Sequence, residues 1–192
     1  KESSVLSGEL EPTNEGYALA KIVAARLCDY ISQENNALSY KTVIPCNLYG
    51  QFDHFEPNRS HMIPAVIHKL HQAKLAGATS VDVWGDGLSR REFMYAQDLA
   101  DFLFYSIDHF EVMPNLINVG LGQDWSINEY YQAASEIVGY TGEFTHDLSK
   151  PAGMRQKLVD IELLDTFGWQ APTDLKQGLS ATYQYYLDYF NG

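Results

Sequence analysis

Stretches with helical periodicity alternate with short β-rich runs along most of this 192-residue chain, and that alternation restricts the fold more than any other feature. Over residues 14–33, Leu19, Ile22, Val23, Leu27 and Ile31 recur at helical spacing behind Asn14, a residue type suited to an N-cap. Residues 40–45 are short and β-rich and run into Asn47-Leu48-Tyr49-Gly50, which reads as a strand entering a loop. Residues 63–76 form a second predicted helix, with Pro64 near the first turn, where a missing N–H costs little. Residues 81–84 alternate like a strand and meet Gly85-Asp86-Gly87, so residues 91–95 read as the return strand. Further helices are predicted at 98–107, capped by Asp98, and at 126–138, where Ser126 and Glu129 have the spacing of a capping box. Strands are predicted at 116–120 and 142–147, and an aromatic helix at 174–190. The pattern as a whole is α/β.

Composition narrows the function. The chain is 45% hydrophobic and 20% charged, which suits a packed core and excludes a disordered chain, a disulfide mini-protein or a collagen-like fibre. Thirteen Lys and Arg against 25 Asp and Glu leave a net charge of −12, unsuited to general nucleic-acid or anionic-membrane binding. A phosphate-bearing ligand must then be caught by a few placed cations. Two cysteines, Cys28 and Cys46, make no disulfide framework and suit a reducing cytoplasm. No apolar stretch reaches the ~20 residues of a membrane span, and Lys1-Glu2-Ser3-Ser4-Val5 does not look like a signal peptide. With no initiator Met, the sequence reads as beginning inside a longer protein. Residues 1–55 read as the last part of a larger Rossmann-like cofactor sheet. Residues 56–192 read mainly as a smaller mixed α/β substrate domain, with some segments returning to that sheet. A doubly wound domain needs about six strands, and only one or two here fit it. No Gly-rich phosphate turn is present; Gly120-Leu121-Gly122 follows a strand without continuing such a motif.

The chemistry centres on Tyr17 and Lys21. Four residues apart on a helix, they share a face. An ammonium close to a phenol stabilises the phenolate and makes the phenol a better acid/base. The pair alone also fits a surface helix with an extended lysine. Its surroundings are more specific: Glu11-Pro12-Thr13-Asn14-Glu15-Gly16 before it, then Pro45-Cys46-Asn47-Leu48-Tyr49-Gly50, Asn58-Arg59-Ser60-His61-Met62-Ile63-Pro64, Trp84-Gly85-Asp86-Gly87 and Arg91-Glu92-Phe93. Later landmarks are Ile117-Asn118-Val119-Gly120, Lys150-Pro151, Arg155, Lys157-Leu158-Val159-Asp160 and Gly168-Trp169. Residues 51–61, polar and irregular, make a loop long enough to suggest function. Together these segments resemble the GDP-L-fucose synthase family of extended short-chain dehydrogenase/reductases, from the active-site helix to the C-terminus.

The resemblance implies an NADP(H)-dependent enzyme that converts GDP-4-keto-6-deoxy-D-mannose to GDP-L-fucose, epimerising the carbons beside the ketone and then reducing it. It implies that Tyr17 is the proton donor and that Lys21 holds the nicotinamide ribose and tunes Tyr17. It places Pro45, Cys46, Asn47 and Leu48 along the nicotinamide pocket. His61 is the implied epimerisation acid/base and a cofactor neighbour; its imidazole titrates near neutrality in general, and its plainer reading is a helix-start histidine bonded to backbone. Arg91 matches a diphosphate ligand, Trp84 a residue beside the nucleotide-sugar site, and Lys69 a basic substrate contact. No metal ligands are implied. The family's homodimer would use the Tyr17 helix.

Two departures stand out. The family's Lys-Pro-Asp-Gly contact reads Lys150-Pro151-Ala152-Gly153, and Ala152 cannot accept a side-chain hydrogen bond, which leaves the preferred sugar open. The family's phosphate loop, catalytic Ser and epimerisation Cys have no counterpart in these residues, and neither Cys28 nor Cys46 stands at that cysteine's position. The isolated chain is therefore expected to lack reductase activity. Two alternatives remain: a GDP-sugar-binding module or split subunit without turnover of its own, and a related epimerase/reductase with another substrate.

Overall fold

The computed structural model describes residues 1–56, 59–150 and 153–190. In order come α1 (Glu15–Glu34), β1 (Thr42–Pro45), β2 (Asn47–Tyr49), α2 (Met62–Leu75), β3 (Ser80–Trp84), β4 (Arg90–Arg91), β5 (Phe93–Tyr95) and α3 (Ala96–Asp108). There follow β6 (Leu116–Val119), β7 (Trp125–Ser126), α4 (Ile127–Val138), β8 (Glu143–Asp147), β9 (Gln156–Lys157), α5 (Glu162–Phe167) and α6 (Leu175–Phe190). The expected α/β class is what forms.

Three parallel pairs organise these elements: β1 with β6, β2 with β5, and β3 with β8. The small strand β4 lies between β7, antiparallel, and β9, parallel. Parallel neighbours need crossovers, and the helices supply them. Several local expectations change. The 47–50 segment is not a simple loop, because Asn47–Tyr49 pairs with Phe93–Tyr95. The 81–95 region is not a hairpin: β3 pairs with β8, while β4 and β5 join other partners. Gly85 and Gly87 do turn the chain with positive φ, but the turn leads away from β3. Asp98 is not the cap of α3; it lies inside the first turn, buried, accepting from the Thr173 N–H and hydroxyl. Asn14 precedes α1 without a side-chain cap bond, its amide donating to Glu11 instead. The Ser126–Glu129 capping box forms as expected, and Gly139 ends α4 in the left-handed region.

Apolar burial follows the same layout. Helix α2 packs on both sides: Ile63 and Ile67 join Tyr49, Phe55, Tyr130, Leu179 and Tyr186, while Val66 and Leu70 join Val81, Val83, Ala134 and Val138. A third cluster sets Phe102, Ile117, Val119, Leu164 and Trp169 around Met94. Helix α1 is different, since none of its residues is buried.

Candidate active site

A cleft of about 1460 Å³ lies between α1, the carboxyl end of β1 and the start of α2. Its wall includes Tyr17, Lys21, Pro45, Cys46, Asn47, Leu48 and His61. These residues come from three separated segments, so the fold brings together what the sequence holds more than 40 positions apart. Tyr17 is 68% exposed, and the Lys21 ammonium stands 5.5 Å from the centre of its ring, as the one-turn spacing predicts. Pro45 closes β1, Cys46 links it to β2, and Asn47 and Leu48 open β2. In open parallel α/β sheets ligands collect beyond the carboxyl ends of the strands. The Asn47 amide is anchored by donating to the Glu92 carbonyl at 2.8 Å, and the Cys46 N–H donates to the Val119 carbonyl at 2.8 Å. Burial, with the nearby Glu92 carboxylate, pushes the Cys46 thiol up to about 12, so it packs rather than reacts.

His61 is the residue before α2, and its ring does not cap the helix. Its Nδ1 faces Asp53 Oδ1 at 3.2 Å instead, so the backbone-bonded reading of this histidine does not hold. Asp53 is a site residue that sequence reading passed over as one polar member of the 51–61 loop. No motif marks it, because the contact exists only where the loop folds back over eight residues.

Lys69, Trp84 and Arg91 do not line this cleft. Lys69 is committed to β3, where its ammonium lies 2.8 Å from the Asp82 carboxylate and donates to the Asp82 carbonyl. Trp84, on the same exposed face of β3 as Asp82, is 62% exposed, with the Lys150 ammonium 5.3 Å from its ring centre. Arg91 donates to the Arg90 carbonyl and sits close to Gly153, where an added Cβ would be 3.3 Å from its guanidinium. Pro151 and Ala152 lie outside the described residues. Residues 154 and 156–159 rejoin the cleft wall.

Glu92 is the second group that sequence reading undervalued, quoting it only between Arg91 and Phe93. It is 1% exposed, and its two oxygens accept the backbone N–H groups of Leu121 at 2.6 Å, Gly122 at 2.9 Å and Val159 at 2.9 Å. Burial raises its pKa against the pull of those three donors. The carboxylate thereby ties the turn after β6 to the 157–159 wall of the cleft.

Residues 1–120 match the NAD dependent epimerase/dehydratase family. The chain belongs to that family. GDP-L-colitose synthase of Yersinia pseudotuberculosis is 58% identical over 187 residues, covering 97% of this chain and 61% of that protein. GDP-L-fucose synthase of Azorhizobium caulinodans is 48% identical over 187 residues, covering 97% of this chain and 60% of that protein. The chain spans about 60% of the length of these curated relatives. Among solved structures, a GDP-6-OMe-4-keto-L-xylo-heptose reductase from C. jejuni superposes with a TM-score of 0.88 at 28% identity, over 98% of this chain and 65% of that one. The GDP-mannoheptose C4 reductase of Campylobacter jejuni with NADP bound gives 0.85 at 28% identity, over 97% and 64%. Among the described residues no helix is long and apolar enough to cross a membrane.

Proposed function

We propose that this chain is the substrate-side part of an NADPH-dependent GDP-sugar epimerase/reductase of the GDP-L-fucose synthase type. The observation that carries this reading is the single cleft shared by Tyr17, Lys21, the 45–48 corner and His61. The likeness to GDP-L-colitose synthase and GDP-L-fucose synthase supports a GDP-linked substrate. The nicotinamide end of the cofactor fits the Lys21 ammonium and the exposed Pro45 and Asn47 at the carboxyl end of β1. When bound, NADPH supplies the hydride for the ketone carbon. Tyr17 gives its phenolic proton to the ketone oxygen as negative charge develops there, and the Lys21 ammonium stabilises the phenolate left behind. His61 moves protons at the carbons flanking the ketone, which the carbonyl acidifies. Arg91 would meet a diphosphate, and the exposed Trp84 ring would lie beside the nucleotide sugar. The Asp82 ion pair occupies Lys69, leaving Lys150 as the freer cation beside Trp84.

The pyrophosphate of the cofactor has no Gly-rich turn within these 192 residues. We therefore expect residues 1–55 to act as one edge of a larger cofactor domain and residues 56–192 mainly as the sugar-nucleotide lobe. Leu19, Val23, Leu27 and Tyr30 form an exposed stripe along α1, and it is the surface expected to pair two copies.

A second substrate reading is favoured by one observation: identity is 58% to the colitose synthase against 48% to the fucose synthase, alongside Ala152 in place of the family Asp. The test is calorimetry with GDP-mannose and UDP-glucose, followed by NADPH oxidation with GDP-4-keto-6-deoxy-D-mannose or the immediate precursor of GDP-L-colitose. The chain is expected to bind the GDP sugar and not the UDP sugar, and to oxidise no NADPH alone. Failure to bind either nucleotide sugar refutes the substrate lobe, and turnover by the isolated chain refutes the division of labour.

A further inference from the structure

We infer that Asp53 is a positioning residue that fixes the tautomer of His61, with the proton on Nδ1 and the lone pair of Nε2 turned to the cleft. A carboxylate only accepts, so an Asp53 Oδ1 within 3.2 Å of Nδ1 makes that nitrogen the donor. Among the described residues Nε2, on the far side of the ring, has no partner, and His61 lines the cleft.

The pair is built rather than incidental. Asp53 keeps only 13% of its side-chain surface exposed while His61 keeps 73%. The Asp53 carboxylate is held from below, because Oδ1 also accepts the His54 N–H at 2.8 Å. Two residues on, Phe55 is buried in the core against Tyr186, their rings 5.0 Å apart, and pins the loop. On the other side Ile63, two residues after His61, is buried in the same cluster. Each partner is thus anchored separately to one rigid core, and the ring meets the carboxylate above it. The neighbouring histidine shows what an unbuilt pair looks like: His54 lies 3.9 Å from Glu56, and both side chains are largely exposed. An N-cap position is favoured by Ser, Thr, Asp or Asn; a histidine there that leaves the helix uncapped has its ring committed elsewhere.

The catalytic meaning of the pair rests on the reading of His61 as an acid/base. Nε2 would take the proton from a carbon beside the ketone; the C–H electron pair passes into an enolate, and the imidazolium stays hydrogen-bonded to Asp53. Water or a second acid on the opposite face then protonates that carbon, which restores the ketone with inverted configuration, and the imidazolium gives its Nε2 proton to water to regain the neutral ring.

The tautomer can be measured without any turnover. Long-range ¹H–¹⁵N correlation spectra of the ¹⁵N-histidine-labelled chain, assigned with an H61Q sample, report which ring nitrogen is protonated in the neutral form. Wild type is expected to show Nδ1–H, D53A to lose that preference, and D53N, which keeps an acceptor oxygen, to restore most of it. An Nε2–H ring in wild type overturns the proposal whatever the variants do, and so does an unchanged tautomer in D53A. GDP-mannose calorimetry on the same samples separates the two readings: D53A should bind within about twofold of wild type, whereas absence of binding in wild type counts against the function and not against the pair. With GDP-4-keto-6-deoxy-D-mannose in D₂O, deuterium entry beside the ketone should slow about tenfold or more in D53A with KM nearly unchanged. Equal exchange rates in the two proteins would remove the catalytic meaning.

Discussion

Replacing Gly120 by Ala tests the Glu92 network directly. A Cβ at Gly120 would lie 2.5 Å from Glu92 Oε1 and 2.6 Å from Val159 Cγ2. Comfortable contacts need about 3.5 Å, so each neighbour must retreat by the better part of an ångström. Neither is free to do so. Glu92 is held by three N–H donors, and Val159 is one of the residues that hold it. Overpacking of this kind costs about 1–3 kcal/mol. Loss or lengthening of one charge-assisted bond adds about 1.5–3 kcal/mol. The two overlap, and a net loss of about 2–4 kcal/mol is expected. For a chain of this size that lowers Tm by roughly 4–16 °C. Gly16→Ala is the matched control: nothing lies within 4 Å of its added Cβ, and the residue is already helical. It should be neutral or gain about 0.4–1 kcal/mol. Urea and thermal unfolding of both variants give the answer. G120A within about 1 kcal/mol of wild type would mean that Glu92 can move aside, and the tie between the β6 turn and the cleft wall would not be rigid.

Three further outcomes are expected. Burial raises the Asp98 pKa above the usual carboxylate range, against the pull of its Thr173 bonds and with help from Asp101. Its stabilising share is complete below the unfolded value and is lost as pH rises through the folded one. D98N has no proton to lose, so its stability relative to wild type should improve from below pH 4 toward neutrality; a change in the opposite direction in urea midpoints would show that the Thr173 bonds outweigh burial. Iodoacetamide with peptide mass mapping should leave Cys46 slow at pH 8 until the chain is unfolded, since its thiol is pushed up to about 12; rapid native labelling would contradict the raised thiol. S126A removes the acceptor for the Glu129 N–H in the α4 capping box and should cost about 1 kcal/mol (range 0.5–2) in chemical unfolding, and a null result would mean that water replaces it.

What could be read from the sequence depended on how locally each signal was encoded. The helices of 63–76 and 126–138 were legible to within a residue or two, because Pro64 and the Ser126–Glu129 pair are local signals with a local mechanism. The two-residue strands β4, β7 and β9 carry no periodicity and exist only through one another. The hairpin expected around Gly85–Gly87 failed for a related reason. The glycines do encode a turn, but the partner of β3 is chosen by burial of Val81 and Val83 against α2 and α4, and the strand that completes this arrangement, β8, is some 60 residues away. In the cleft, Tyr17 and Lys21 were legible as a pair from their one-turn spacing, and His61 only through the resemblance. Lys69 was legible as a cation but not as the partner of Asp82. Asp53 and Glu92 were hidden because a carboxylate has no fixed spacing from the N–H groups it serves.

The weakest support lies under the strongest motif. Helix α1 carries Tyr17 and Lys21, the proposed proton-donor pair, yet none of its residues is buried. Packing of an amphipathic face, more than propensity, is what keeps helices of this length formed. Two apolar features lie along it. Ala24, Ala25 and Cys28 line the cleft, facing the space bounded by Val43, Ile44 and Leu116, while Leu19, Val23, Leu27 and Tyr30 are exposed as the stripe assigned above to a second copy. The Lys21 ammonium keeps its place over Tyr17 only while that turn of helix holds its shape. On the proposed reading, whatever covers the stripe therefore also stiffens the catalytic pair, and assembly and proton donation share one helix. His61 lines the same cleft from the start of α2, a helix packed into the core through Ile63 and Ile67 beside Phe55. On that reading the two halves of the chemistry differ in kind: the histidine side is held by this chain's own core, and the tyrosine side would draw its rigidity from contacts made across α1.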